Sequence, residues 1–210
     1  DTNRPERAQP YPKRVIVFSP HPDDDVISMG GTFQRLVDQG HEVHVAYQTS
    51  GNIAVGDDEA LRYVATMKNI AANYCDGNIN NLMQKLDRTL DLLLNPKQYG
   101  DTVPREVLEV KGQIRREEAR SACRFVGVKP ENVHFLDLPF YETGQVKKGP
   151  LTEADVKIIM ELFEKVHPHQ IYVAGDLADP HGTHKVCLNA ALAAIDEMKH
   201  KEALKDCRVW

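Results

Sequence analysis

The chain has 210 residues, is 41% hydrophobic and carries a formal net charge of −5. That length suits one domain of ordinary size, or one with an insertion, and the apolar fraction is too high for a disordered chain. There is no basic stripe, no apolar run of membrane-spanning length and no signal-peptide pattern, so nucleic acid and membrane are not expected partners.

Residues 1–13 are polar, with Pro5, Pro10 and Pro12, and read as a linker or arm. Val15 to Ser19 is an apolar run of strand type. It leads into His21-Pro22-Asp23-Asp24-Asp25, which gathers one imidazole and three carboxylates, with Pro22 stiffening the turn. After Gly30-Gly31 an amphipathic helix carries Phe33, Leu36 and Val37 and stops at Gly40. Val43, Val45 and Tyr47 alternate as a second strand, followed by the loop Thr49-Ser50-Gly51-Asn52. Asp57-Asp58-Glu59 suits the positive end of the next helix, whose apolar stripe is Leu61, Val64, Met67, Ala71 and Tyr74.

Between residues 75 and 112 the α/β rhythm lapses. Leu82, Met83, Leu86, Leu90, Leu93 and Leu94 mark a helical insertion, broken afterwards by Pro96, Gly100 and Pro104. Its leucine stripe reads as core rather than interface. A long helix then runs from about Glu106 to Val126, turning Ile114, Ala119, Ala122, Cys123 and Val126 inward, and ends at Gly127. A strand spans Val133 to Leu136. Thr152 caps a further helix that buries Val156, Ile159, Phe163 and Val166. Ile171 to Ala174 is the next strand. The last helix starts near Thr183 or His184, and Cys207 to Trp210 has the look of another strand beginning. Both ends look cut, which suggests part of a longer chain. Cys75, Cys123, Cys187 and Cys207 show no CxxC spacing; Cys123 and Cys187 fall on apolar faces as core residues, and a cytoplasmic setting fits. Alternating strands and helices give an α/β fold: a Rossmann-like, open, mostly parallel sheet with helices on both faces.

The chemistry concentrates at two strand ends. The first is the His21 turn. The second is the stretch from Gly175 to His184, where His181 and His184 stand three apart at a helix start and face one side. In open α/β sheets ligands bind at the carboxyl ends of the strands. Hydrolytic zinc sites take three ligands from His and carboxylates, leave a position for water, and keep a free carboxylate to accept its proton. The chain supplies His21 and a carboxylate from one turn and His184 from the other, with a spare carboxylate and a spare His. The same set also describes a non-haem iron enzyme, although the α/β pattern does not suit their β-rich scaffold. A phosphorelay receiver places two Asp after its first strand but has no use for His21 or the HxxH. A non-catalytic metal-binding or regulatory module is a further alternative.

His21-Pro22-Asp23-Asp24-Asp25 resembles the HPDD[E/D] signature of the LmbE/PIG-L-like N-deacetylases, zinc enzymes that remove acyl groups from amino sugars. Arg115-Arg116-Glu117-Glu118 with Ala122 and Gly127-Val128, Leu136-Asp137-Leu138-Pro139, His167-Pro168-His169-Gln170-Ile171 and His181-Gly182-Thr183-His184 resemble the family's later motifs. The similarity spans about Lys13 to Ala194, and is nearest to LmbE-like domains fused behind a glucosamine-6-phosphate deaminase-like domain in some bacteria.

The resemblance implies Zn2+, or another divalent first-row metal, held by His21, Asp24 and His184. It implies Asp23 as general base, and His181 as the residue that steadies the oxyanion or protonates the leaving amine. Asn52 and Arg116 are the candidate substrate contacts; an ion pair with Glu117 or Glu118 is the alternative for Arg116. Asp25 stands where Glu is usual, Gly182-Thr183 replaces a frequent Pro-Asp, and the 75–112 segment is longer than usual. The implied substrate is an N-acetylglucosamine-type amino sugar or its phosphate. A fused deaminase-like domain and a homo-oligomer are the expected partners.

Overall fold

A computed structural model describes residues 11–96, 102–145, 147–175 and 178–210. Residues 1–10 of the expected arm, Gly100 of the expected break, and Asp176 and Leu177 of the second chemical cluster lie outside the described residues.

The strands are β1 (Arg14–Ser19), β2 (Glu42–Tyr47), β3 (Val133–Phe135), β4 (Gln170–Tyr172) and β5 (Arg208–Val209). The helices are α1 (Asp24–Asp38), α2 (Asp57–Tyr74), α3 (Asn80–Leu94), α4 (Arg105–Val126), α5 (Glu153–Val166) and α6 (Thr183–Met198). The chain divides into two compact units. Of the described residues, the first holds 11–50, 118–142, 149–175 and 178–210; the second holds 51–96, 102–117, 143–145 and 147–148.

The first unit carries the sheet, in the order β3-β2-β1-β4-β5 with every pairing parallel. The register Val15↔Val43 and Val17↔Val45 on one side of β1, and Val15↔Gln170 and Val17↔Tyr172 on the other, makes β1 a central strand. A strand buried on both faces has to be apolar throughout, which is why Val15-Ile16-Val17-Phe18 shows no alternation. Ile16 and Phe18 pack with Ile159, Leu162 and Phe163 of α5 and Cys187, Ala190, Ala191 and Ala194 of α6. Val15, Val17, Val45 and Tyr47 pack on the opposite face with Phe33 and Leu36 of α1 and Ala119 and Cys123 of α4. Each such fully buried large aliphatic or aromatic side chain contributes roughly 1.5–3 kcal/mol. The helices on both faces complete the open α/β sandwich expected from the sequence.

Local chemistry sets the helix ends. In α5 the Asp155 carboxylate accepts from the backbone N–H and hydroxyl of Thr152, at 2.8 and 2.6 Å, closing a capping box. Its other oxygen accepts the Phe140 N–H at 2.9 Å, which fixes the 138–142 turn. The helix α1 begins at Asp24, ahead of Gly30-Gly31 rather than after them, with a kink at Met29 (φ −144°, ψ 25°). Two acidic residues in its first turn favour the earlier start, because they stabilise the positive helix end.

In the second unit α2 packs against α3, and Val55, Ala60, Val64, Leu86, Leu93, Val107 and Ile114 form the core. Lys111 donates to Asp57 at 2.6 Å within the same unit. The expected stripes are only partly inward. Val64 and Ala71 are buried, whereas Met67 is 41% and Tyr74 82% exposed; Leu86 and Leu93 are buried and Leu82 and Leu94 are not. Spacing locates a helical face but not how far the neighbouring element reaches along it.

Gly127 ends α4 at φ 98°, with its N–H and that of Val128 both donating to the Cys123 carbonyl, and a Cβ there would lie 3.4 Å from Val37. Gly127→Ala is expected to destabilise the protein by about 1–3 kcal/mol in urea unfolding, because the φ is strained for any L side chain.

His44 and His134 stack on neighbouring strands with Nδ1 and Nε2 3.0 Å apart, and Glu42 lies 3.2 Å from the other His44 nitrogen. Burial, then the neighbouring His44 and Lys165, push His134 down to about 4. Burial likewise lowers His44, against the opposing pull of Glu42 and with Lys165 and Arg14 adding to the fall. The unfolded chain, with histidines near ~6.5, therefore binds more protons than the folded one between the two values. Stability is expected to be present above that window and to fall as pH drops through it towards 4. The urea midpoint followed from pH 7 to 4 checks this, and His134→Asn should flatten the decline.

Candidate active site

The backbone groups of the polar turn after β1 are held by hydrogen bonds, several of them to side chains. The Ser19 hydroxyl donates to the His21 carbonyl at 2.5 Å, and the Asp23 N–H donates to the same carbonyl at 2.8 Å. The His21 N–H donates to Asp24 Oδ2 at 2.8 Å. From the loop after β2, the Thr49 N–H and hydroxyl both reach the Pro20 carbonyl, at 3.2 and 2.8 Å. Asp23 is the half-buried residue at the start of α1, and its carbonyl accepts the first helical N–H groups, from Val26 and Ile27.

The second turn is built around Asp179. One of its carboxylate oxygens accepts the His181 N–H at 3.1 Å and the other the His184 N–H at 3.0 Å. Burial opposes the charge on Asp179, but these two backbone donors and the nearby rings outweigh it and hold the carboxyl below its ordinary value. Gly182 enters α6 at φ 70°, a left-handed conformation that glycine adopts without strain. His181 is exposed and His184 is half-buried in the first turn of α6.

The two turns meet. His21 Nδ1 lies 3.2 Å from His184 Nε2 and 3.4 Å from Asp24 Oδ2, and His184 Nε2 lies 3.3 Å from that same oxygen. The three side chains are 24%, 13% and 16% exposed for His21, Asp24 and His184. Burial disfavours the Asp24 carboxylate, but the hydrogen bonds from the His21 ring and backbone, with the nearby His184 ring, outweigh it and keep its pKa below the ordinary carboxylate range. Among the described residues this is the group of His, Cys, Asp and Glu side chains able to hold a metal ion.

The donor set fits a first-row metal. Bonds of ~2.0–2.1 Å to the corners of a tetrahedron put donors ~3.3–3.4 Å apart, whereas the adjacent corners of an octahedron with similar bonds lie ~3.0 Å apart. The three observed separations, 3.2, 3.3 and 3.4 Å, let a single ion contact all three donors. Two imidazoles and one carboxylate are also the ligand kinds that hydrolytic zinc sites use alongside a water. A cleft of about 410 Å³ reaches this group, with Asp24, Ser28, Thr32, Tyr172 and His184 among its walls.

Of the candidate residues, the structure draws His21, Asp24 and His184 into one group, and Asp23 and His181 belong to the same two turns. Asn52 and Arg116 belong to the second unit: Asn52 is buried in a 3-10 turn over Asn52–Ala54, and Arg116 lies on α4. Two contributors carried no role in the sequence reading. Asp179, three residues ahead of the Gly182 N-cap, orders both histidine backbones through its carboxylate. The buried ring of Tyr141 stands edge-on to His21, with centroids 6.0 Å apart and planes at 70°. Its signal was only that it follows a strand at the same sheet edge.

One divalent first-row metal per chain is expected by metal analysis of the purified protein. His184→Ala should weaken it at least ~10-fold in chelator competition.

The chain is similar to a Bacteroides thetaiotaomicron protein named as glucosamine-6-phosphate deaminase-like, with 55% identity over 213 residues, covering 100% of this chain and 32% of that protein. It is also similar to the diacetylchitobiose deacetylase of Thermococcus kodakarensis, with 30% identity over 105 residues, covering 50% of this chain and 38% of the relative. The chain thus spans about a third of the length of the curated relatives it matches. Its fold resembles the solved N,N'-diacetylchitobiose deacetylase of Pyrococcus horikoshii, determined with an inhibitor, at a TM-score of 0.56 and 20% identity, over 98% of this chain and 57% of that one. No helix among the described residues is long and apolar enough to cross a membrane. The family described as PIG-L: GlcNAc-PI de-N-acetylase matches residues 16–195, and with its motifs on the two turns that meet at the sheet edge, the chain belongs to that family.

Proposed function

We propose that the chain is a zinc-dependent N-deacetylase that hydrolyses the acetamide of an N-acetylglucosamine-type amino sugar to acetate and a free amine. The observation that carries this reading is the meeting of His21, Asp24 and His184 at 3.2–3.4 Å from one another, in a chain of the PIG-L family. The names of the two diacetylchitobiose deacetylases support the amino-sugar class.

His21, Asp24 and His184 would hold the zinc, which when bound would supply Lewis acidity that lowers the pKa of water towards ~7 and polarises a carbonyl. Asp23 stands between two of those ligands in sequence and takes the proton as water adds to the amide carbon. His181, on the turn ordered by Asp179, stabilises the charge that develops on the carbonyl oxygen. The proton gathered by Asp23, or one from His181, passes to the amine nitrogen as its bond to the acyl carbon breaks.

The name of the Bacteroides relative supports a phosphorylated form of the substrate. Deacetylation of N-acetylglucosamine 6-phosphate yields glucosamine 6-phosphate, which a deaminase of that kind would consume.

An amine-release assay with zinc-loaded full-length protein, on a panel of acetylated sugars and sugar phosphates, tests the reading. Turnover confined to plain N-acetylglucosamine removes the phosphate. No turnover on any amide returns the chain to a metal-binding or regulatory role. Asp23→Asn is expected to keep the metal and lose ~10²–10⁴-fold in rate, as removal of a general base does; loss of the metal instead would make Asp23 a ligand.

A further inference from the structure

Beneath the His21 turn runs a buried chain of hydrogen bonds that the proposed reaction does not use. Ser19, Asp25 and Tyr47 are all 1% exposed or less. The Tyr47 hydroxyl donates to Asp25 Oδ2 at 2.9 Å and lies 3.2 Å from Cys123 Sγ. A phenol has one proton, so with that proton on Asp25 the Cys123 thiol is the donor to the Tyr47 oxygen. The Asp25 N–H donates to Ser19 Oγ at 3.0 Å. The Ser19 hydroxyl also has one proton; the 2.5 Å contact to the His21 carbonyl claims it, leaving the 3.3 Å contact to Asp25 Oδ1 as the weaker alternative. One path therefore joins Cys123 on α4, Tyr47 at the end of β2, Asp25, Ser19 at the end of β1 and the backbone of His21.

A carboxylate this deeply buried is costly unless hydrogen bonds offset its lost hydration, and an apolar side chain would fill the same space without that cost. What the polar group adds is direction. It ties the first turn of α1, which carries Asp24, to the neighbouring strand, while Ser19 ties the His21 carbonyl to the same point.

We propose that Asp25 is a positioning residue whose hydrogen bonds to Tyr47 and Ser19 lock the turn carrying His21 and Asp24, so that their donor atoms stand ready before a metal binds. The proposal rests on the reading of His21, Asp24 and His184 as metal ligands. It assigns the effect to the hydrogen-bonded tether rather than to the charge on Asp25. An amide at this position could keep the tether, since its oxygen accepts from Tyr47 and the backbone N–H still donates to Ser19 Oγ.

The test is zinc affinity of the full-length protein, read by competition with a chromophoric chelator, alongside thermal unfolding of the metal-free form. Asp25→Ala is expected to weaken zinc binding ~10–100-fold, the usual effect of losing a group that orients a ligand. Tyr47→Phe, which keeps the ring and its packing, is expected to weaken it in the same direction. Asp25→Asn should stay within ~3-fold of the parent, because its amide oxygen can still accept from Tyr47 and the backbone N–H bond to Ser19 Oγ is unchanged. If Asp25→Ala does not fold, Tyr47→Phe and Asp25→Asn still decide the matter. Parent-like affinity in Tyr47→Phe overturns the tether. So does an Asp25→Asn protein that loses zinc as badly as Tyr47→Phe or worse, since that would make charge the cause. A parent that binds no zinc overturns this proposal together with the site; tight zinc binding without amide turnover overturns only the deacetylase reading.

Discussion

The parallel pairing of β1 with β4 is the constraint on which the site depends. β2 and β3 extend the sheet to one side of β1, while β4 and β5 lie on the other. Strand order reverses there, and the loops after β1 and β4 leave the same edge in opposite directions. His21 and His184, 163 positions apart in sequence, meet across that crevice. The pairing is enforced by the core. Val15 and Val17 belong to one hydrophobic cluster and Ile16 and Phe18 to the other, so slipping a strand by one residue would exchange every inward side chain with its opposite. The position of two polar turns thus inherits the stability of two apolar faces.

At the site itself, a carboxylate and two imidazoles crowd within hydrogen-bond distance of one another. Such a cluster is unfavourable in isolation, because polar groups are partly withdrawn from water and several side-chain rotamers are frozen. Backbone bonds offset this. Asp24 receives the His21 N–H, Asp179 receives those of His181 and His184, and Thr49 anchors Pro20. Both clusters open helices, where unpaired N–H groups and the positive helix end welcome carboxylates. The acidic character of these turns therefore stabilises the fold as well as offering metal donors.

Much of this was legible in the residues. The unbroken apolar run of β1 signalled a strand buried on both faces, and Thr152 with Asp155 signalled a helix start. The motifs around His21, Arg115 and His181 resemble those of the PIG-L family. Less legible was the extent of burial along helices. In α2 the spacing that puts Val64 and Ala71 inward also admits Met67 and Tyr74, which are exposed. In α4 Ile114 belongs to one hydrophobic core, and Ala119 and Cys123 belong to another. Periodicity reports one helix's own geometry and carries no information about where its neighbours end.

By itself the sequence determined the element types, the α/β class and the residue kinds available for metal chemistry, because these depend on local propensity, periodicity and side-chain character. Only the tertiary structure decided that His21 Nδ1, Asp24 Oδ2 and His184 Nε2 stand 3.2–3.4 Å apart, and that Asp25, Tyr47 and Ser19 form one buried chain behind them. Those distances arise from strand order and register. Both are set by the packing of residues far apart in the sequence, whose relative positions no local pattern encodes.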